Sequence, residues 1–321
     1  MGKLITLTIV TIVSCSLAHA GEPPVKTVAD DASISIVQSD KILATYQLKP
    51  DKKVELPVES ACYFHPLKTP AGIPVTDVAP FDHPHHRGVF LGWVEMHGDD
   101  GGVNADFWGW GEHAPTKDRR IVHRELLKAA TGKGCAFEAR NEWMAGEQVV
   151  IDEYLRADAR NILGATVLDV QYTLTPKSEI KLARWAFSGF CVRTRLDGRL
   201  EAFGPGGRVD LPNPSHLKPE SDWPAAPWYA YELRGVDRGG PDGGLTVGVA
   251  VVDHPKNPPT LWHNHRGIGM LNPCIVAPAA VTMKTDDPPL VLRYRVIAFD
   301  GQFQREIVTR LADDFRKNYP P

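Results

Sequence analysis

Short runs of alternating or β-branched residues, each stopped by Gly, Pro, Asn or Asp, recur along almost the whole chain. They are Ser33–Val37, Ile42–Leu48, Val89–Val94, Ile121–Leu127, Cys135–Trp143, Gln148–Leu155, Thr166–Leu174, Ile180–Phe187, Leu245–Val252 and Leu290–Phe299. Alternation with period two puts one side chain in the core and the next outside, the signature of half-buried strands. The 28 Gly and 27 Pro supply turns between them. A parallel α/β sheet would need strands alternating with helices, and that pattern is missing. The expected fold is therefore all-β, a large antiparallel β-sandwich. One helix is expected near the C-terminus, where Phe303, Ile307, Leu311 and Phe315 recur every four residues with charges between them. Residues 21–30 read as a loose leader. No linker divides the chain, so residues 21–321 read as a single domain.

The first twenty residues read as an export signal. Lys3 precedes an apolar run from Leu4 to Val13, and Ala18-His19-Ala20 is a small-x-small cleavage site. That run is too short to span a bilayer, which takes about 20 residues. Ile12-Val13-Ser14-Cys15 overlaps it as a lipobox-like alternative that would anchor the protein by a lipid on Cys15. Either signal places the protein in the periplasm or outside the cell, and no later segment reads as a transmembrane helix. After cleavage Cys62, Cys135, Cys191 and Cys274 remain. An even number in an oxidising compartment allows two disulfides in any of three pairings, and wide spacing without a motif equally suits buried thiols. The net charge of -3 and scattered Lys and Arg exclude a nucleic-acid partner.

The chemistry concentrates in Asp82-His83-Pro84-His85-His86-Arg87-Gly88. Asp253-His254-Pro255 echoes its start and His265-Arg266-Gly267 its end. Imidazole exchanges a proton near neutral pH or ligates a metal. His83, His85, His86 and Arg87 are thus the candidate catalytic group. His83-x-His85 and His263-x-His265 each resemble a pair that presents two nitrogens to a divalent transition metal; no cofactor is certain from this pattern. Arg87 and Arg266 offer planar forks of donors for a carboxylate or vicinal hydroxyls, or structural partners for Asp82 and Asp253.

Asp106-Phe107-Trp108-Gly109-Trp110-Gly111-Glu112-His113 sets two indoles beside two acids. Aromatic faces next to carboxylates suit sugar rings, so Asp106, Trp108, Trp110, Glu112 and Arg266 are candidate substrate-binding residues. Tryptophans in a sandwich core would look the same. Residues 204–227 lack periodicity, and so long a loop in a compact domain is usually functional or disordered. It carries His216, Asp222 and Trp223 and reads as a lid. No G-x-S-x-G elbow, Walker loop or H-E-x-x-H motif occurs.

Phe64-His65-Pro66-Leu67-Lys68-Thr69-Pro70-Ala71-Gly72, the His-rich motif, Asp106-Phe107-Trp108, Asp253-His254-Pro255-Lys256-Asn257-Pro258 with Trp262, and Leu292-Arg293-Tyr294-Arg295 follow in order. This series resembles the bacterial family of secreted proteins called PmoA-like (so-called methane oxygenase PmoA), a domain of unknown function. Particulate methane monooxygenase subunits sit in the membrane, whereas this chain carries no spanning segment after its signal. The resemblance therefore implies carbohydrate work rather than methane oxidation. The expected function is an exported carbohydrate-processing enzyme on a supersandwich-like fold, acting on a glycoside or oligosaccharide by hydrolysis, elimination or epimerisation. A metal-dependent oxygenase-type enzyme using both H-x-H pairs, and a non-catalytic carbohydrate-binding protein, are the alternatives.

Overall fold

A computed structural model describes residues 23–50, 54–56, 60–98, 101, 103–129, 136–237 and 244–319. The export signal, Cys15 and Cys135 lie outside the described residues. Among those described, the chain forms two large antiparallel sheets, smaller sheets, and one α-helix, Arg305–Asn318. This is an all-β, sandwich-like fold with a C-terminal helix. No helix among the described residues is long and apolar enough to cross a membrane.

The seven-stranded sheet runs, in spatial order, Val25–Ala29, Ser33–Gln38, Lys41–Gln47, Tyr63–Leu67, Val89–Gly92, Gly189–Arg193 and Met270–Leu271. The nine-stranded sheet places Leu290–Asp300 between Leu245–Asp253 and Ala165–Pro176, and continues through Gln148–Ile162 and Phe137–Ala145 to Arg119–Ala129. The inner faces meet through rings. Phe190 stacks on Tyr294 at 4.1 Å, and Phe137 packs against Tyr46 at 5.3 Å.

Period two explains how the remaining faces are used. Val249, Val251, Val296 and Ala298 enter the core between the sheets. Their neighbours Ala250, Val252, Ile297 and Phe299 face the opposite way, onto Val308, Leu311, Ala312 and Phe315 of the helix. The helical apolar stripe read from sequence thus finds its sheet. The seven-stranded sheet does the same at its far end. Val89, Leu91, Phe190, Val192 and Leu271 point inward. Phe90, Cys191 and Met270 point outward and join Tyr63, Trp108, Phe187 and Ile268 in a separate apolar cluster. His83, His85, His86, His216, His263 and His265 gather on that outer cluster.

Two expectations are corrected. Residues 25–29 are not a loose leader but a strand paired along its length with Ser33–Gln38. Asp30 makes the turn, its Oδ1 accepting hydrogen bonds from the amides of Ala32 and Ser33. The run Ile180–Phe187 is a strand only over Ile180–Leu182. Cys62, Cys191 and Cys274 are buried free thiols.

Candidate functional site

Three separate stretches of chain build one imidazole cluster, and the strand Gly189–Arg193 explains why they meet. It pairs with Val89–Gly92 on one side and Met270–Leu271 on the other. The first His-rich segment runs directly into Val89, and the second runs into Met270. Both are therefore carried to the same strand.

Within the first segment, the amide of His83 donates to Pro80 O and that of His86 to His83 O, two successive tight turns. Gly88 closes the segment at φ +60°, where a Cβ would lie 2.3 Å from Phe64 O. Only glycine fits both the conformation and the space. In the second segment His265 and Met270 exchange backbone hydrogen bonds of 3.0 and 3.1 Å, closing a tight loop.

The third stretch is the long loop, positioned by an antiparallel bridge between Trp223 and Trp262. In antiparallel register the residue before one partner faces the residue after the other. Asp222 therefore faces His263. Its Oδ1 lies 2.6 Å from His263 Nδ1, and His263 Nε2 lies 2.9 Å from His216 Nδ1. Arg266 holds the start of the loop by donating to Leu211 O, while its own amide donates to Asn213 Oδ1 at 2.9 Å.

The rings form two layers. His85, His86 and His263 are buried, and His83, His216 and His265 are half-exposed. His216 stacks on His265 at 5.4 Å and meets His83 edge-on at 6.3 Å, which joins the two halves. His83 packs on His85 at 5.6 Å and His86 at 4.9 Å. Its Nδ1 lies 3.1 Å from Asp82 Oδ2, and Arg193 donates to Asp82 Oδ1 at 2.7 Å. Beyond Asp82 and Arg193 opens a cleft of ≈ 430 Å³ also lined by Asp77, Arg195 and Asp197.

Burial sets the charge state. It drives His263 and His85 down to about 3, and His86 well below the usual imidazole value. Burial, reinforced by neighbouring rings, takes His216 and His265 to about 4. It also lifts Asp222 to about 8, and that carboxyl's Oδ2 is buried without a partner. Asp82 goes the other way: burial would raise it, but Arg193 and His83 outweigh burial and hold it low. His85, His86, His216, His263 and His265 are thus neutral imidazoles near neutral pH.

Several residues expected at the site have other work. Arg87 is buried, donates to the carbonyls of Phe107 and Trp108 at 3.1 and 3.3 Å, and lies 4.5 Å over Phe90. It braces the loop from inside and does not face the half-exposed imidazoles. Trp108 is fully buried in the outer apolar cluster, edge-on to His86 at 5.7 Å, so it supports the site and offers no sugar platform. Asp106 is buried too, and accepts from the amides of Gly109 and Gly111 at 2.7 and 2.6 Å. Trp110 is half-buried at the surface, and Glu112 is exposed. Arg266 is a clamp on the loop. The echo at Asp253-His254-Pro255 is unrelated to the site: Asp253 accepts from Asn257, and His254 packs edge-on against Phe315 of the helix.

The four expected metal ligands do not form one ligand set. Both ring nitrogens of His263 are engaged, by Asp222 and His216, which leaves none for a metal in this arrangement. Among the described residues no three or more His, Cys, Asp or Glu side chains are arranged to hold a metal ion.

His216 and Asp222 were noticed in the sequence only as part of a lid. The bridge that aligns Asp222 with His263 leaves no local pattern, so their partnership had no sequence signal.

The chain belongs to a family of unknown function, DUF6807, matched over residues 33–313. That match is to a different family name from the PmoA-like label. Comparison with curated proteins returns no match. Among solved structures, a polysaccharide lyase aligns over 88% of this chain and 33% of its own, with 12% identity and a TM-score of 0.34. A protein described as a kojibiose phosphorylase from the human microbiome aligns over 91% of this chain and 32% of its own, with 7% identity and a TM-score of 0.34. The chain spans about a third of the length of either, and likenesses this distant carry no functional argument.

Proposed function

We propose that this protein is an exported carbohydrate-processing enzyme whose chemistry is proton transfer by an imidazole relay. The observation that carries the reading is the hydrogen-bonded chain Asp222–His263–His216, which ends at a half-exposed ring facing His83 and His265. With Asp222 ionised, His263 donates from Nδ1 to the carboxylate and accepts at Nε2 from His216 Nδ1–H. The lone pair of His216 Nε2 then serves as a base. When that nitrogen takes a proton, the Nδ1 proton of His216 moves to His263 and the Nδ1 proton of His263 moves to Asp222. The chain goes from one negative charge to none, and no imidazolium is left in a dry site. Burial of His263 and Asp222 favours this outcome over a trapped charge.

The arrangement supports elimination or epimerisation over hydrolysis. Glycoside hydrolysis commonly uses two carboxyl groups across an open slot. Here Asp82 and Asp222 are each bonded to an imidazole. In the proposed step His216 removes a proton from a sugar carbon. The C–H electron pair then either takes a proton from solvent on the other face or becomes a double bond as the neighbouring glycosidic C–O bond breaks. In the second case the departing oxygen takes a proton from solvent. The export signal read from the sequence supports an extracytoplasmic setting.

The test is NMR of neutral and uronic oligosaccharides incubated with the protein in D₂O. Deuterium entering a sugar carbon, or a new unsaturated product, is expected with the wild type and not with His216→Ala. Equal turnover by His216→Ala would overturn the relay reading.

A further inference from the structure

A second group of side chains adjoins the relay and has no part in it. Trp110, His113 and Trp185 meet as three rings: His113 lies 4.3 Å from Trp185 and 5.1 Å from Trp110, and the two indoles cross edge-on at 5.8 Å. The indoles are half-buried and His113 is exposed. Glu95 locks one end, accepting from Trp185 Nε1 at 2.7 Å and lying 2.6 Å from His97 Nε2. The indoles rest on the outer apolar cluster, yet they and His113 keep part of their ring surface in water. This wall has the composition of a surface that takes the C–H face of a pyranose, with polar groups at its edge for hydroxyls.

Its position gives it meaning. Phe187 touches Trp110 at 5.1 Å and also His216 at 5.1 Å, so one ring separates the wall from the relay. On the far side of the cluster, His83 leads through Asp82 to the polar cleft. The contacts run in one order: cleft, Asp82, His83, His216, Phe187, Trp110.

We propose that Trp110, His113 and Trp185 form a sugar-binding subsite remote from the reacting bond, so that the protein acts on oligosaccharide chains rather than on single sugars. The proposal rests on the relay reading for the place of reaction, and on the wall's own geometry for binding. A sugar stacked there is held by contacts that do not change during proton transfer, so binding energy gained at the wall positions the chain at His216.

The experiment measures affinity for mono-, di-, tri- and tetrasaccharides of galacturonic acid and of xylose by isothermal titration calorimetry, using His216→Ala to prevent turnover. One series should bind more tightly as it lengthens. Trp185→Ala should remove that gain, weakening the longer members roughly 3- to 10-fold while leaving the shortest binder unchanged. Since Trp185→Ala also frees Glu95, His113→Ala, at an exposed position, is the second variant and should weaken the same members. Affinity independent of chain length, no binding by either series, or length dependence untouched by both variants overturns the subsite. Turnover retained by His216→Ala overturns the relay and leaves the binding result standing.

Discussion

At the scale of single residues, the site depends on which atom holds a proton. Asp222 fixes His263 with its Nδ1 toward the carboxylate, and this makes His216 Nε2 an acceptor when the chain is ionised. Asp222→Asn keeps the shape, but its amide can donate to His263 Nδ1 and reverse the polarity of the chain. A fall in kcat of roughly 10²–10⁴ is expected, with a smaller change in KM. The wild-type rate should rise with pH through about 8, where Asp222 loses its proton and the basic form of the relay fills. That limb should vanish in Asp222→Asn. A kcat–pH profile of the two proteins on the same oligosaccharide decides it, and a limb that survives the substitution would assign the ionisation elsewhere. Residue types were legible in the sequence: the His-rich motif marked the place, and His83, His85, His263 and His265 do gather there. Side-chain direction was not. Arg87 and Trp108 carry the same letters whether they face a ligand or the core; Arg87 is held inward by the carbonyls of Phe107 and Trp108, and Trp108 by the outer apolar cluster.

At the scale of elements, the helix is fixed to the sheet by charge as well as by its apolar stripe. Arg295 is buried and donates to both oxygens of Asp169 at 2.6 and 2.7 Å, to Leu311 O at 2.7 Å and to Asp314 at 3.2 Å. It also lies 5.0 Å over Phe315. Removing one member of such a group strands the other's charge in a dry place. Arg295→Ala is expected to cost about 3–5 kcal/mol in chemical denaturation. The double change Asp169→Leu with Arg295→Met should recover most of that loss, because the fully buried pair is removed whole and the charges that lose a partner, Asp314 and Arg160, reach solvent. A double variant no more stable than Arg295→Ala would show that the pair acts mainly through geometry. The helix and most long strands were legible because each shows one wet and one dry face. Gly189–Arg193 was not, since all five residues are buried and no alternation remains to be read. That strand brings the two His-rich segments together, so the convergence was invisible where it is decided.

At the scale of the whole molecule, the site imposes a pH signature on stability. Burial holds His85, His86, His123, His216, His254, His263 and His265 below the usual imidazole value in the folded protein. The unfolded chain binds those protons near 6.5, so it takes up more protons than the native state as pH falls below that value. Each such proton costs the fold roughly 1.4 kcal/mol per pH unit. Buried carboxyls work in the opposite sense. Asp158 and Asp253 are raised to about 6, Glu153 to about 7 and Asp222 to about 8, all chiefly by burial. Their folded forms hold protons that the unfolded chain has already lost above about 4. Stability from these groups is therefore full at low pH and declines as pH rises toward 6–8. Below 6.5 the imidazoles outnumber the carboxyls and stability should climb with pH. Above it the imidazoles are neutral in both states, while Glu153 and Asp222 still titrate in the folded protein. Stability should peak near neutral pH, fall steeply on the acid side and gently on the alkaline side. Urea unfolding at pH 5, 6, 7 and 8 measures this directly. A maximum at pH 5 would mean that the imidazoles are charged in the folded protein, and the neutral cluster on which the relay rests would be lost with it.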